Sequence, residues 1–352
     1  MKPNVKILLI DHDADLVTVN TFAALRERGY DVVLATSDPD KGRTTGLPCE
    51  KISAIKSKFT RRAICDIHKV IKRAGIDIVF CASTSALSNC LIANIGTGAK
   101  VIGYRGTQAR IRRLDPTYYM ALLNPRTDHI VCETKDIEEN LTNYIPARKL
   151  STHPKPYSTE WVAEAVKHPV RADISPDTLA LSYVGISEGR PHKGLHVLVD
   201  AIKLLNSRGV KTHLTVVGKA SQADIDRAPE NILFTGNRPD AVNYIAGSDV
   251  FVLPSLRDAS PRVVREAQAC GIPCIVSDIP GARDLILTGP DERSGILTAP
   301  NDAEAIADAI ETLKNDPSLR KEMSGNAIKN ITENYSFDKY VDYFCQVIGK
   351  LI

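Results

Sequence analysis

Leu256-Arg-Asp-Ala-Ser-Pro-Arg-Val-Val-Arg-Glu-Ala267 joins a helix-start signal to two carboxylates, Asp258 and Glu266, eight positions apart. It follows Val250-Phe-Val-Leu253, a short apolar run that reads as a buried parallel strand. Ser260 suits an N-cap and Pro261 the first helical position. The helix then runs toward Cys270, where Gly271 and Pro273 stop it. Its first backbone N–H groups therefore face the crevice at the carboxyl end of a strand. Open α/β sheets bind phosphate-bearing ligands there. Asp258 sits just before the cap, and Glu266 lies about two turns into the helix. One carboxylate reaches the helix mouth while the other lines the wall beside it. Taken alone, the stretch reads better as an ordinary capped helix with a solvated Glu.

The rest of the chain alternates strand and helix around this stretch. Val5–Ile10, Asp31–Ala35, Asp77–Cys81, Lys100–Gly103 and His129–Cys132 read as strands of a first half. Leu179–Val184, His213–Val217, Ile232–Phe234, Val250–Leu253 and Cys274–Ser277 read as strands of a second. Alternation on this scale predicts two doubly wound, Rossmann-like parallel sheets, an α/β fold. Thr152 to Asp177, rich in Pro and polar residues, reads as the hinge between them. After the strand ending at Gly185, a polar loop leads to Lys193-Gly194 and an amphipathic helix. Leu195, Leu198, Val199, Ile202 and Leu205 share one face of that helix. Arg190 and Lys193 therefore stand at the top of the first βα unit of the second half, as cations or as ordinary solvated loop residues.

The run from Asp258 to Ser277 resembles the acidic-x7-Glu signature of the retaining glycosyltransferases of family four (glycosyl transferases group 1), which have the two-domain GT-B fold. The resemblance covers about residues 129–352, and its motifs lie in residues 183–194 and 250–283. It implies two Rossmann-like domains facing a central cleft. The N-terminal, acceptor-side domain would be residues 1–157 and the C-terminal, nucleotide-sugar-binding domain residues 158–335. A last helix, residues 336–352, would cross back onto the first domain. By the same resemblance Glu266 contacts the nucleotide ribose and Asp258 lies near the donor sugar, although Asp is one methylene shorter than the usual Glu. Lys193 takes the diphosphate. Arg190 stands in for an Arg that usually follows the strand-ending Gly, where this chain has Ile186. Gly185, Ser260, Pro261 and Arg262 complete the donor and nucleotide side.

Composition is consistent with an enzyme of this kind. At 352 residues and 43% hydrophobic content, the chain can bury two cores of ordinary domain size. No run is long and apolar enough for a membrane span, and no signal-peptide pattern opens the chain. The eight Cys residues are scattered without a CxxC pair, which suits thiols in a reducing compartment. These features predict a cytoplasmic protein with no metal and no cofactor beyond its nucleotide-sugar substrate. Residues 1–160 carry 24 Lys/Arg against 17 Asp/Glu, whereas residues 161–352 carry 21 against 25. The basic excess concentrates in Lys56–Arg73 and again in Arg105–Arg113. Ala63, Ile64, Ile67, Val70 and Ile71 form a core-facing helical stripe, and Arg61, Arg62, Lys69, Lys72 and Arg73 occupy the other faces. That is either a solvated helix face or a surface drawn to anionic lipid headgroups at the inner face of the membrane. No nucleic-acid-reading motif accompanies it.

The first half departs from the family after its first strand. A Gly-rich loop is usual there, but this loop reads Asp11-His-Asp-Ala-Asp15. Asp11-x-Asp13 is a metal-pair pattern and His12 a candidate acid–base or sugar-side group, each weighed against a plain polar loop. A His often found after the fourth strand is replaced by Arg105-Gly-Thr107. Arg105 is a candidate for an anionic acceptor or donor group. The expected activity is retaining transfer of a sugar from a nucleotide diphosphate donor to a hydroxyl of a glycan or lipid-linked saccharide, of cell-surface polysaccharide or lipopolysaccharide type. A nucleotide-sugar epimerase of the same fold and a binding-only GT-B scaffold are the alternatives. A double displacement would need a carboxylate nucleophile, for which Asp258 is the candidate.

Overall fold

The computed structural model describes residues 5–38, 40, 45–107 and 111–352; Arg110 of the second basic run lies outside them. The chain forms two compact units. One comprises Met1–Lys155 with Phe337–Ile352, the other Pro156–Ser336.

The first unit is built on a seven-stranded parallel sheet. Its strands are β1 (Lys6–Ile10), β2 (Asp31–Thr36), β3 (Cys49–Lys51), β4 (Ile78–Cys81), β5 (Lys100–Arg105), β6 (His129–Cys132) and β7 (Leu150–Thr152). They lie in the order β3-β2-β1-β4-β5-β6-β7. Alternation along β1 sends Leu8 and Ile10 to one face, under the helices Arg61–Ala74 and Thr84–Ala93. Ile7 and Leu9 point to the other, under the helices Leu16–Glu27 and Phe337–Leu351. On that second face Phe22, Phe80 and Phe344 pack with ring centroids 4.9 to 5.6 Å apart. Burying each ring contributes roughly 1.5–3 kcal/mol. The last helix is thus a core element of the first unit.

A polar relay fixes the same helix. His129 Nε2 lies 2.6 Å from Ser151 Oγ, which meets the Tyr343 hydroxyl at 2.5 Å. Burial, with the Lys350 charge second, pushes His129 from its ordinary 6.5 down to about 4. Between those two values the unfolded chain binds a proton that the folded chain refuses. Stability from this group is therefore complete above 6.5 and is lost as pH falls toward 4. Wild type should lose on the order of 3 kcal/mol across that window which His129→Gln does not. Urea melts of both proteins at several pH values check this; parallel curves would remove His129 as the cause.

The second unit carries a six-stranded parallel sheet of β8 (Leu179–Val184), β9 (Thr212–Val217), β10 (Ile232–Gly236), β11 (Val250–Leu253), β12 (Cys274–Ser277) and β13 (Gly295–Thr298). Its order is β10-β9-β8-β11-β12-β13. The helix Leu195–Ser207 buries Leu195, Leu198, Val199, Ile202 and Leu205 on the sheet, as its periodicity predicts. The segment read as a hinge is not all irregular. Ser158 caps a helix, Thr159–Lys167, with Glu160 in its first turn and Lys167 in its last, charges that suit the helix dipole. Arg171 then grips Asp249 through two hydrogen bonds of 3.0 and 2.9 Å. Three strands had no apolar run to betray them: β3, β7 and β13.

Candidate active site

Strand order in the second unit reverses direction between β8 and β11, so the connections leaving these two strands run outward to opposite edges of the sheet. The opening between them is where a doubly wound sheet receives ligands. Close backbone approaches shape it. A Cβ on Gly194, whose φ is +73°, would sit 1.9 Å from the Pro254 carbonyl oxygen. One on Gly218, at φ +118°, would sit 2.3 Å from that of Gly185. The Leu256 N–H donates to the His192 carbonyl at 2.7 Å, closing the β8 loop onto the β11 loop. A third loop joins at Gly281, whose Cβ would meet the Ala259 carbonyl at 2.0 Å.

This closure brings Lys193 and Asp258 together. The Lys193 ammonium donates to Asp258 Oδ2 at 2.6 Å, with both side chains mostly covered. Nothing in the sequence foretold the pair, since the partners are far apart in the chain. Arg190 lies on the exposed outer part of the loop, just before the turn Pro191–Lys193. Burial, then the charges of Arg257 and Lys193, pushes His192 below its ordinary value, a sign of crowded positive charge. Arg257 was not singled out from sequence.

The helix after β11 spans Arg262–Ala269. Its cap is Pro261 in extended conformation, and no side chain bonds to its first turn. Ser260 is therefore not the N-cap. Its hydroxyl accepts instead from Arg265 Nη1 at 2.6 Å, and the helix starts one residue later than expected. Arg265, 2% exposed, is the organising residue that sequence reasoning missed; a buried Arg inside a helix carries no local signature. The Val264 N–H donates to the Pro261 carbonyl at 3.2 Å, while the Arg262 and Val263 N–H groups stay available for an anion. Arg262 is exposed on that turn and Pro261 is buried beneath it.

Glu266 is 4% exposed. Burial pushes its carboxyl above the ordinary range, and the charges of Arg262 and Arg265 oppose that. The helix bearing it is anchored from behind. Gln268 donates to the Leu285 carbonyl at 2.7 Å, and Asn330 donates to Gln268 Oε1 at 3.0 Å. Ser187 and Ser255, buried in the β8 and β11 loops, have hydroxyls without a protein hydrogen-bond partner. Such groups are costly unless something else satisfies them.

In the first unit, Arg105 ends β5 and is 8% exposed. Burial lowers its pKa, and the Tyr118 hydroxyl bonds it. The loop after β1 does not form a metal pair. Asp11 accepts from Thr36 Oγ1 at 2.7 Å, while Asp13 turns aside at φ 60° to meet His12 Nε2 at 3.4 Å. Asp15 caps the helix Leu16–Glu27 through the Thr18 N–H at 3.0 Å. It also pairs with Lys155 at 2.9 Å, whose ammonium stands 4.6 Å over the Tyr104 ring. Glu133 accepts from the Lys155 N–H at 3.2 Å. Glu133 and Lys155 are polar groups at this strand edge that no motif revealed. Among the described residues, no three His, Cys, Asp or Glu side chains gather as a metal site.

Comparison with known proteins agrees with this layout. The family model "Glycosyl transferases group 1" matches residues 181–330, and "Glycosyl transferase 4-like" matches residues 6–108. A capsular polysaccharide biosynthesis glycosyltransferase of Staphylococcus aureus is 30% identical over 46% of this chain, and the match spans only 43% of that relative. An Escherichia coli α-1,3-galactosyltransferase, named for UDP-galactose and N-acetylglucosaminyl-diphosphoundecaprenol, is 26% identical over 86% of this chain and 83% of its own length. Anabaena HepE, solved with UDP, superposes with a TM-score of 0.76 at 16% identity, over 98% of this chain and all of that one. The chain belongs to the group 1 glycosyltransferases, with their GT-B architecture.

Proposed function

We propose that this enzyme transfers a sugar, with retention and without a metal, from a nucleotide diphosphate sugar to a hydroxyl of a glycan or lipid-linked saccharide. The observation that carries the proposal is the Lys193–Asp258 pair at the reversal of the second sheet, beside the uncapped helix that bears buried Glu266. Charge develops on the departing diphosphate, and preorganised donors that meet it there are usually the largest catalytic contribution. Lys193 and the first turn of Arg262–Ala269 supply those donors, and Arg190, exposed on the same loop, joins them once the nucleotide is bound. Asp258 aims the Lys193 ammonium. Because its carboxylate is engaged, it serves as a positioning residue and not as a nucleophile. The acceptor attacks from the face the leaving group vacates, and a phosphate oxygen takes its proton. Names of the relatives favour UDP and a diphosphate-lipid acceptor. Arg105, a buried cation at the edge of the first sheet, is assigned to the acceptor's anionic group. Among the described residues, no helix is long and apolar enough to cross a membrane, so a lipid-linked acceptor is met at the bilayer surface by the basic first unit.

Thermal shift with uridine, guanosine, cytidine and adenosine diphosphates identifies the donor. A ligand at 100 times its Kd adds about 2.7 kcal/mol of stability. Glu266→Ala should weaken that nucleotide at least about tenfold, because a charge-assisted hydrogen bond to the ribose is lost. Calorimetry showing unchanged affinity sinks the Glu266 assignment. No shift with any nucleotide returns the chain to a scaffold, and interconversion of the donor's sugar without an acceptor returns it to an epimerase. Chelator should leave turnover intact.

A further inference from the structure

Two loops at the carboxyl edge of the first sheet present large apolar side chains to solvent amid positive charge. Phe59 is 57% exposed in the loop that follows β3, and Leu114 is 98% exposed in the loop that follows β5. Isolated exposed apolar residues are ordinary. These two belong to one built surface. Beneath Phe59, the fully buried Asn89 accepts the Thr60 N–H at 2.7 Å and donates to the Ser57 carbonyl at 2.8 Å. The Ser57 hydroxyl donates to the Phe59 carbonyl, also at 2.8 Å. Polar bonds thus hold the loop from below and leave the ring outside. Lys58 ties the two loops together, donating to the Thr117 carbonyl at 3.3 Å and standing 5.7 Å over the Tyr118 ring.

Charge on this surface is one-sided. Lys56, Arg61, Arg62 and Arg112 are exposed around the two tips. From Ser53 to Arg62 there is no acidic residue, and from Ile111 to Tyr119 there is only Asp115. That carboxylate is occupied by the Thr117 N–H at 2.9 Å. At the far end of the helix Arg61–Ala74, Arg73 is engaged by Glu50. Directly behind the tips, Tyr118 bonds the buried Arg105.

We propose that Phe59 and Leu114 enter the headgroup region of an anionic lipid bilayer while the surrounding Lys and Arg side chains meet lipid phosphates. Apolar penetration and electrostatic attraction together give stable surface binding where either alone is marginal. The inference deepens the acceptor assignment above and rests on it for the lipid-borne substrate. It narrows the lipid contact expected over Lys56–Arg73 to the loop edge around Phe59 and Leu114. A phosphate-linked acceptor would then lie beside the Tyr118–Arg105 pair.

Vesicles of phosphatidylcholine with and without phosphatidylglycerol test it. Wild type should bind the anionic vesicles only, and less at high salt, because added salt shortens the Debye length over which its charges attract the bilayer. Phe59→Ser with Leu114→Ser should weaken binding at least about tenfold, while melting temperature and nucleotide shift stay at wild-type values. Trp161 is the chain's only Trp. Phe59→Trp in a Trp161→Phe background should therefore report insertion as a blue shift of its emission with anionic vesicles. Binding indifferent to phosphatidylglycerol, or undiminished in the double variant, overturns the surface and leaves the transferase assignment standing. Absence of any nucleotide shift alongside normal vesicle binding does the reverse.

Discussion

Lys193→Ala should lower turnover at least about a hundredfold, with donor affinity falling far less, because the ammonium acts mainly on charge that appears as the diphosphate departs. The structure adds a reason for severity. Removing the lysine leaves Asp258, 15% exposed, as an unpaired negative charge at the proposed phosphate site. Asp258→Asn in the Lys193→Ala background should therefore restore part of the loss, whereas alone it should be harmful by freeing the ammonium. Steady-state kinetics on the four proteins of this cycle separate the effects. If Lys193→Ala raises only KM, the lysine is a binding contact, and another cation neutralises the leaving group.

Gly194→Ala should be the most damaging single-methyl change in the second unit. The added carbon would fall 1.9 Å from a backbone oxygen of Pro254, at a φ of +73° that disfavours any side chain. Neither atom belongs to a flexible chain end, so the β8 and β11 loops must separate. A cost of about 3 kcal/mol or more follows, which lowers Tm by roughly 6–12 °C in a unit of this size. Separation also pulls Lys193 from Asp258, so turnover should fall with stability. The control is Gly209→Ala, also at positive φ but with nothing near its Cβ. Equal melting of the two variants would show that backbone strain, not the clash, sets the cost.

Much of this architecture was legible because parallel strands buried on both faces leave continuous apolar runs. Leu179–Val184, Val250–Leu253 and Cys274–Ser277 are read directly from such runs. The edge strands β3 and β7 are three residues each, two of them polar, as edges tend to be, so periodicity had nothing to grip. In the site, Lys193, Asp258 and Glu266 stood out through their motifs, but their arrangement did not. A Lys–Asp contact 65 residues apart exists only once two βα loops converge. Ser260 illustrates a different limit. It has the right chemistry for a cap, yet a buried guanidinium three-dimensionally adjacent competes for the same hydroxyl and wins. Exposure is equally unreadable from letters: Phe59 and Leu114 resemble core residues until the fold leaves them outside.

The return of Phe337–Leu351 to the first unit has a consequence for synthesis on the ribosome. Phe344 completes the cluster begun by Phe22 and Phe80, so the first unit emerges early but lacks one wall of its core. Residues 156–336 must be made before that wall arrives, a delay on the order of ten to forty seconds at about 5–20 residues per second. During this time the second unit, continuous in the chain, has all it needs to fold. The nascent first unit instead waits with Phe22 and Phe80 uncovered, an opening for chaperones and for aggregation. Maturation is thus ordered from the later half of the chain back to the earlier one.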